Sequence, residues 1–167
     1  MATIGADEVG VTGGCQCGAV RYRLDATPDH GMICHCRMCQ KASGGLFMAY
    51  CGVPKSLFVV THSTLSIFQS SDIVERGFCA ACGTPLTYRL LSGQRIAVTM
   101  VSLDNPEAVA PEQQLGTESR ISWLDSALAT PEASLSDWLR NRQIVSVGSR
   151  QHPDRDADRK PSTGGGF

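Results

Sequence analysis

Residues 19–24, AVRYRL, set Ala19, Arg21 and Arg23 against Val20, Tyr22 and Leu24, the two-residue period of a strand with one buried face. On that pattern Arg21 and Arg23 face water. Six more runs rich in β-branched and aromatic residues follow: GLFMAYCGV (45–53), SLFVVTH (56–62), TLSIFQS (64–70), IVERGF (73–78), LTYRLL (86–91) and RIAVTMVSL (95–103). Gly, Pro, Ser or Asp separates them, a rhythm that predicts an all-β protein of antiparallel sheets rather than βαβ units. One short helix is expected near the end. Pro131 can open PEASLSDWLRNRQ at its first position, and Leu135, Trp138 and Leu139 then share a face. From about Arg150 the chain reads RQHPDRDADRKPSTGGGF, the polar, Gly/Pro-rich composition of a disordered tail with no part in chemistry. The expected organisation is an N-terminal extension over 1–12, one domain over 13–149 and a tail over 150–167.

Composition and charge narrow the function. A chain of 167 residues, 42% of them hydrophobic, can bury a real core without cross-links. The net charge is −1 and the 15 basic residues form no block of five or more, so the electrostatic footprint of a nucleic-acid or membrane-surface binder is missing. A small, specific ligand fits better. The segment MATIGADEVGVTGG has neither a basic start nor an apolar stretch, and no window approaches the roughly 18 apolar residues of a membrane span. This predicts a cytoplasmic protein. In a reducing compartment disulfides do not usually persist, so eight cysteines point to metal ligands or catalytic thiols.

Seven of the eight stand in three tight groups: Cys15 and Cys17 in GGCQCGAV, Cys34, Cys36 and Cys39 in CHCRMC, and Cys79 and Cys82 in FCAACGTPL. Two such turns brought together by sheet pairing place four thiolates about 2.3 Å from one zinc ion and close it against water. Cys15, Cys17, Cys79 and Cys82 suit that structural site, the alternative being buried free thiols. Gly18 and Gly83 follow the ligand pairs, where the backbone must turn tightly and aim N–H groups at sulfur. The CHCRMC group has three cysteines, the ligand number of an open, catalytic zinc site. His35, or Cys51 from the next strand, could fill its fourth position. His35 would have to point the same way as both its neighbours, and Cys51 in an apolar strand reads as a small hydrophobe. Three thiolates leave a zinc centre with net charge −1, a weak Lewis acid but a good partner for an incoming thiolate, which favours making or breaking a C–S bond. A redox pair at Cys79-x-x-Cys82 is a weaker reading, since CAAC lacks the strand-to-helix setting of such motifs.

GGCQCGAVRY, CHCRMCQKASG, FCAACGTPLTYR, SLDNP and ESRISWL, in this order and spacing from about Gly13 to Trp123, resemble the glutathione-dependent formaldehyde-activating enzyme family, whose domain is shared with centromere protein V. The resemblance implies a twisted all-β "tent" pinned by two zinc ions. It places the structural ion on Cys15, Cys17, Cys79 and Cys82 and the catalytic ion on Cys34, Cys36 and Cys39. The implied reaction is that of a carbon–sulfur lyase of the S-hydroxymethylglutathione synthase kind, with glutathione or a similar thiol and a small electrophile, formaldehyde, as partners. The alternative is a non-catalytic zinc module that binds a protein partner. Family members often carry a histidine where this chain has Gln114. Arg37 and Lys41 beside the open site are candidates to pair with the carboxylates of glutathione, and Arg120 and Trp123 to line its pocket.

Overall fold

The computed structural model describes residues 10–155; most of the expected N-terminal extension, and the tail beyond residue 155, lie outside the described residues. A three-stranded sheet holds β1 (Val11–Gly14), β2 (Arg21–Leu24) and β5 (Phe58–His62) in that order. The larger sheet uses β3 (Asp29–Cys34), β4 (Met48–Pro54), β6 (Ser66–Ser71), β7 (Val74–Phe78), β8 (Pro85–Leu90), β9 (Arg95–Thr99) and β10 (Gln113–Leu115). Its order is β10-β3-β4-β9-β8-β7-β6. All pairings are antiparallel except β10 with β3, which is parallel. All seven expected strands form, and the chain is all-β with a few short helices.

Alternation divides the large sheet into two unlike faces. Cys51, Val53, Ile96 and Val98 turn inward with Leu86 and pack on Val20, Tyr22 and Leu24 to form the main core. Burying each of the larger side chains there contributes about 1.5–3 kcal/mol. The opposite face carries a straight cross-strand row, Gly52, Ala97, Tyr88 and Arg76, paired in turn across β4, β9, β8 and β7. Met32 pairs with Tyr50 on adjoining strands, and a second buried cluster of Cys39, Met48 and Tyr50 forms on this side.

Two readings of the sequence change. Arg21 does not face water: it is only 7% exposed and bonds the Asp104 carboxylate through both terminal nitrogens, one of them at 2.9 Å. The Thr12 hydroxyl donates to the same carboxylate at 2.6 Å. β2 is the central strand of its sheet, and Asp104, more than eighty residues along, covers the side its alternation marks as outer. Arg23 is half-buried and bonds Asp25. The terminal helix, α3 (Leu135–Asn141), starts later than Pro131: Ser134 caps it, accepting from the Asp137 N–H at 3.1 Å. Two further short helices, α1 (Arg37–Ser43) and α2 (Leu124–Leu128), have no counterpart in the pattern. Within the described start of the tail, the His152 N–H donates to the Gln16 carbonyl at 2.7 Å, and its ring lies against Gly18. Among the described residues no helix is long and apolar enough to cross a membrane.

Candidate functional site

Cys15 and Cys17 lie in the turn that joins β1 to β2, and Cys79 and Cys82 in the turn that joins β7 to β8. Each turn is closed by its own backbone: Cys15 N–H to Val20 O at 2.9 Å, Gly18 N–H to Cys15 O at 3.0 Å, Cys79 N–H to Thr84 O at 3.0 Å and Gly83 N–H to Cys79 O at 2.8 Å. Gly18 and Gly83 take φ of 76° and 78° there, a left-handed conformation that a Cβ makes costly. The four sulfurs all come within 4.8 Å of one another, with Cys15 to Cys17 at 3.5 Å and Cys17 to Cys79 at 3.9 Å. Tetrahedral ligation with bonds of about 2.3 Å sets sulfurs ~3.8 Å apart, so the four fit one soft ion. The Val20 N–H also aims at the Cys15 sulfur, at 3.2 Å. Burial works to raise the Cys82 thiol, but bonds from Thr84 and Cys17 outweigh it and hold it at about 6. Burial pushes Cys79 up. Because the two turns belong to different sheets, this group lies where the sheets meet, and an ion held by it would fasten one to the other.

The second group is built by one junction. Cys34 ends β3, Cys36 is the N-cap of α1 and Cys39 sits in its first turn. The Cys36 sulfur accepts from the Cys39 N–H at 3.4 Å, the place where Ser, Thr or Asp usually stands. The helix ends at Gly44 in a left-handed conformation. The three sulfurs lie within 4.8 Å of one another. Burial and the neighbouring Cys39 and Cys36 thiols push Cys34 up to about 12, despite the Cys36 N–H. At Cys36 burial acts upward as well, yet N–H groups of Cys39 and Met38 and the two neighbouring thiols hold it below the ordinary thiol value. Hydrogen bonds thus prepare one sulfur of the group to lose its proton first.

His35 and Cys51 both lie outside these groups. His35 is buried with its ring edge toward Phe47. Its Nε2 is 2.8 Å from Gln114 Oε1, and the His35 backbone N–H donates to Leu115 O at 2.8 Å. Gln40 Nε2 donates to the His35 carbonyl at 2.7 Å and to Ser119 O at 3.0 Å. His35 therefore braces β10 and α1 against each other, its ring holding Gln114 and its carbonyl holding Gln40. Cys51 sits in the main core, where burial raises it to about 11.

A cavity of about 200 Å³ opens beside the three cysteines, walled also by Met32, Tyr50, Arg76 and Tyr88. Arg76 is only 8% exposed. Its guanidinium donates to Tyr50 OH at 2.6 Å, to Ser70 Oγ at 3.2 Å and to the Cys39 sulfur at 3.4 Å, and it lies 5.1 Å from the centre of the Tyr88 ring. Burial works to lower the guanidinium, but Cys39 and Tyr50 outweigh it and raise it, while burial first and Cys39 second push Tyr50 up. Both stay protonated. Sequence reasoning missed this pair, although IVERGF offered a signal: alternation puts Arg76 on the same side of its strand as Val74, which is buried. Arg37, Lys41, Arg120 and Trp123 are exposed and stand outside the lining of this cavity; Arg37 bonds Gln40 and Arg120 bonds Asp125.

All eight cysteines are free, so both groups present the thiol donor set that soft metals select. Residues 10–119 match the model of the glutathione-dependent formaldehyde-activating enzyme family. An uncharacterized lyase of Schizosaccharomyces pombe is 29% identical over 82 residues, 49% of this chain and 59% of that protein; the chain thus spans a little over half the length of this relative. A Rhodobacter sphaeroides protein of known crystal structure superposes with a TM-score of 0.51 at 21% identity, over 62% of this chain and 98% of that one, a likeness of fold. With the match covering well over half of its length and both cysteine groups, the chain belongs to the glutathione-dependent formaldehyde-activating enzyme family.

Proposed function

We propose that the protein is a zinc-dependent carbon–sulfur lyase acting on adducts of a small thiol, of the S-hydroxymethylglutathione synthase kind, in a reducing, cytoplasmic setting. Cys15, Cys17, Cys79 and Cys82 hold one zinc ion as a closed structural site, and Cys34, Cys36 and Cys39 hold a second with one vertex left for substrate. The observation that carries this reading is the three-sulfur group on the wall of a cavity that also contains a buried guanidinium. A zinc ion bound there supplies a position at which a thiol is stabilised as thiolate.

The chain's own residues account for the rest. Three thiolates and a dication sum to −1, and an incoming thiolate would make it −2; Arg76, buried and touching Cys39, offsets one of these charges where water screens them only in part. Tyr50 accepts from Arg76 and keeps its own proton, which faces the Cys39 sulfur at 3.9 Å and can turn from that long contact to an acceptor in the cavity. In the cleavage direction the C–S bond breaks with its electron pair on sulfur, the adduct's hydroxyl gives up its proton to water, and that oxygen becomes the carbonyl, so the products are a thiolate, an aldehyde and a hydrated proton. A hydrogen bond from Tyr50 to the reacting oxygen steadies its developing charge. Synthesis runs the same steps in reverse.

Cobalt-loaded protein tests the open vertex, because its visible spectrum responds to its ligands. Glutathione should strengthen the sulfur-to-cobalt charge-transfer band, S-methylglutathione should not, and Cys36→Ser should abolish the response while the four-cysteine site persists. A spectrum unchanged at millimolar glutathione would overturn this mechanism and favour the partner-binding module.

A further inference from the structure

A second, larger hollow of about 440 Å³ lies on the same face of the seven-stranded sheet, and Met32, Tyr50, Tyr88 and Ala97 wall both it and the cavity of the three cysteines. We propose that this hollow receives an apolar group attached to the carbon that leaves the sulfur, so that the substrates include thiol adducts of aldehydes with aliphatic or aromatic side chains. The inference rests on the lyase reading above and names its substrate class.

Three observations carry it. The floor is low because the cross-strand row that ends at Arg76 begins with two small residues, Gly52 and Ala97. Gly52 is not glycine for its backbone, since its φ is not positive and a Cβ there would meet only ordinary contacts, Ile96 O at 3.4 Å and the Arg95 side chain at 3.7 Å. Its missing side chain leaves space. The walls come from Met32, Tyr50, Tyr88, Leu90 and Ala97, and formaldehyde, with no side chain, makes no use of such a surface. The charges at the rim are already engaged: Arg89 bonds Glu75 at 2.7 Å, and Arg95 bonds Asp29 and, at 3.0 Å, the Gly52 carbonyl. Glutathione's two carboxylates would have to displace those partners, whereas an alkyl or aryl group fits the walls as they stand. The hollow adjoins the cavity of the three cysteines across four shared wall residues, so a side chain only a few bonds from the sulfur lies beside it.

Calorimetric titration of the zinc-loaded protein tests this without turnover. S-alkylglutathiones from methyl to hexyl, stable mimics of the carbon side, should bind about fourfold more tightly per added methylene. Ala97→Ile, a β-branched residue suited to a strand, should flatten that series. If this variant does not fold, Gly52→Ala, whose new Cβ meets no clash, should blunt it. Affinity independent of chain length overturns the proposal. So does a gain seen only with free alkanethiols, which would put the apolar group on the thiol side. A rising series, together with cleavage of no aldehyde adduct, would uphold the hollow and sink the lyase reading.

Discussion

Arg76→Met keeps an unbranched stem of about the aliphatic part of arginine and deletes the guanidinium with its charge. In the native site the guanidinium lies 3.4 Å from the Cys39 sulfur, where an effective dielectric constant of about 20 gives an attraction of about 5 kcal/mol for a unit charge. Taking the guanidinium out of water costs several kcal/mol, and the hydrogen bonds to Tyr50 and Ser70 offset only part of that. A net of about 2 kcal/mol is left, equivalent to about thirtyfold in an affinity. Competition between the protein and a chromophoric chelator for cobalt, followed by titration with glutathione, separates the two groups. The four-sulfur group should keep its affinity, while the three-sulfur group should bind glutathione about thirtyfold more weakly. Arg76→Lys should recover only part of the loss, because an ammonium cannot reach all three partners with fixed geometry. Glutathione affinity within twofold of native in Arg76→Met, with the metal retained, would refute the charge-compensation argument.

Arg21→Met should cost about 3–5 kcal/mol, read in a denaturant titration, because it strands the largely buried Asp104 carboxylate; Arg23→Met, at a pair far more open to water, should cost no more than about 1 kcal/mol. Cys51→Ala should keep both metal sites and lose about 1 kcal/mol, the scale of a small core truncation, and loss of metal from the Cys34 group would contradict its place in the core. In metal-stripped protein at pH 7, iodoacetamide should label Cys82, which titrates at about 6, well before Cys34, at about 12. The Cys82 thiolate contributes stability that is full above its unfolded value near 9 and fades as pH falls through about 6; a peptide map with Cys34 labelled first would count against both assignments.

The strands that declared themselves in the sequence did so through apolar content. β1 reads VTGG, β3 begins DHG and β10 is QQL, so none carries an alternating apolar face; β1 and β3 are held by pairing with β2 and β4, and β10 in turn by pairing with β3. α1 stayed hidden because its cap is a cysteine rather than an oxygen-bearing residue. The cysteine groups were legible for a geometric reason: sulfurs that must converge on one point need short local turns, and short turns leave fixed spacings in sequence. The walls of the cavity beside Cys34, Cys36 and Cys39 leave no such mark. Tyr50, Arg76 and Tyr88 come from three strands, and only the register of the sheet brings them together. Arg21 shows the same limit, since its partner lies 83 positions away.

The contact between Cys17 and Cys79 spans 62 positions of chain. With an ion held by the four sulfurs as proposed, that stretch, including β3, α1 and the whole CHCRMC group, becomes a closed loop. A covalent bridge of that span would remove about 4 kcal/mol of chain entropy from the unfolded state. A metal closure acts on the same entropy but answers to a different environment: thiol reductants that open a disulfide leave it in place, while a fall in available metal opens it. The fold would then behave as a cross-linked protein whose cross-link is set by metal supply rather than by redox potential.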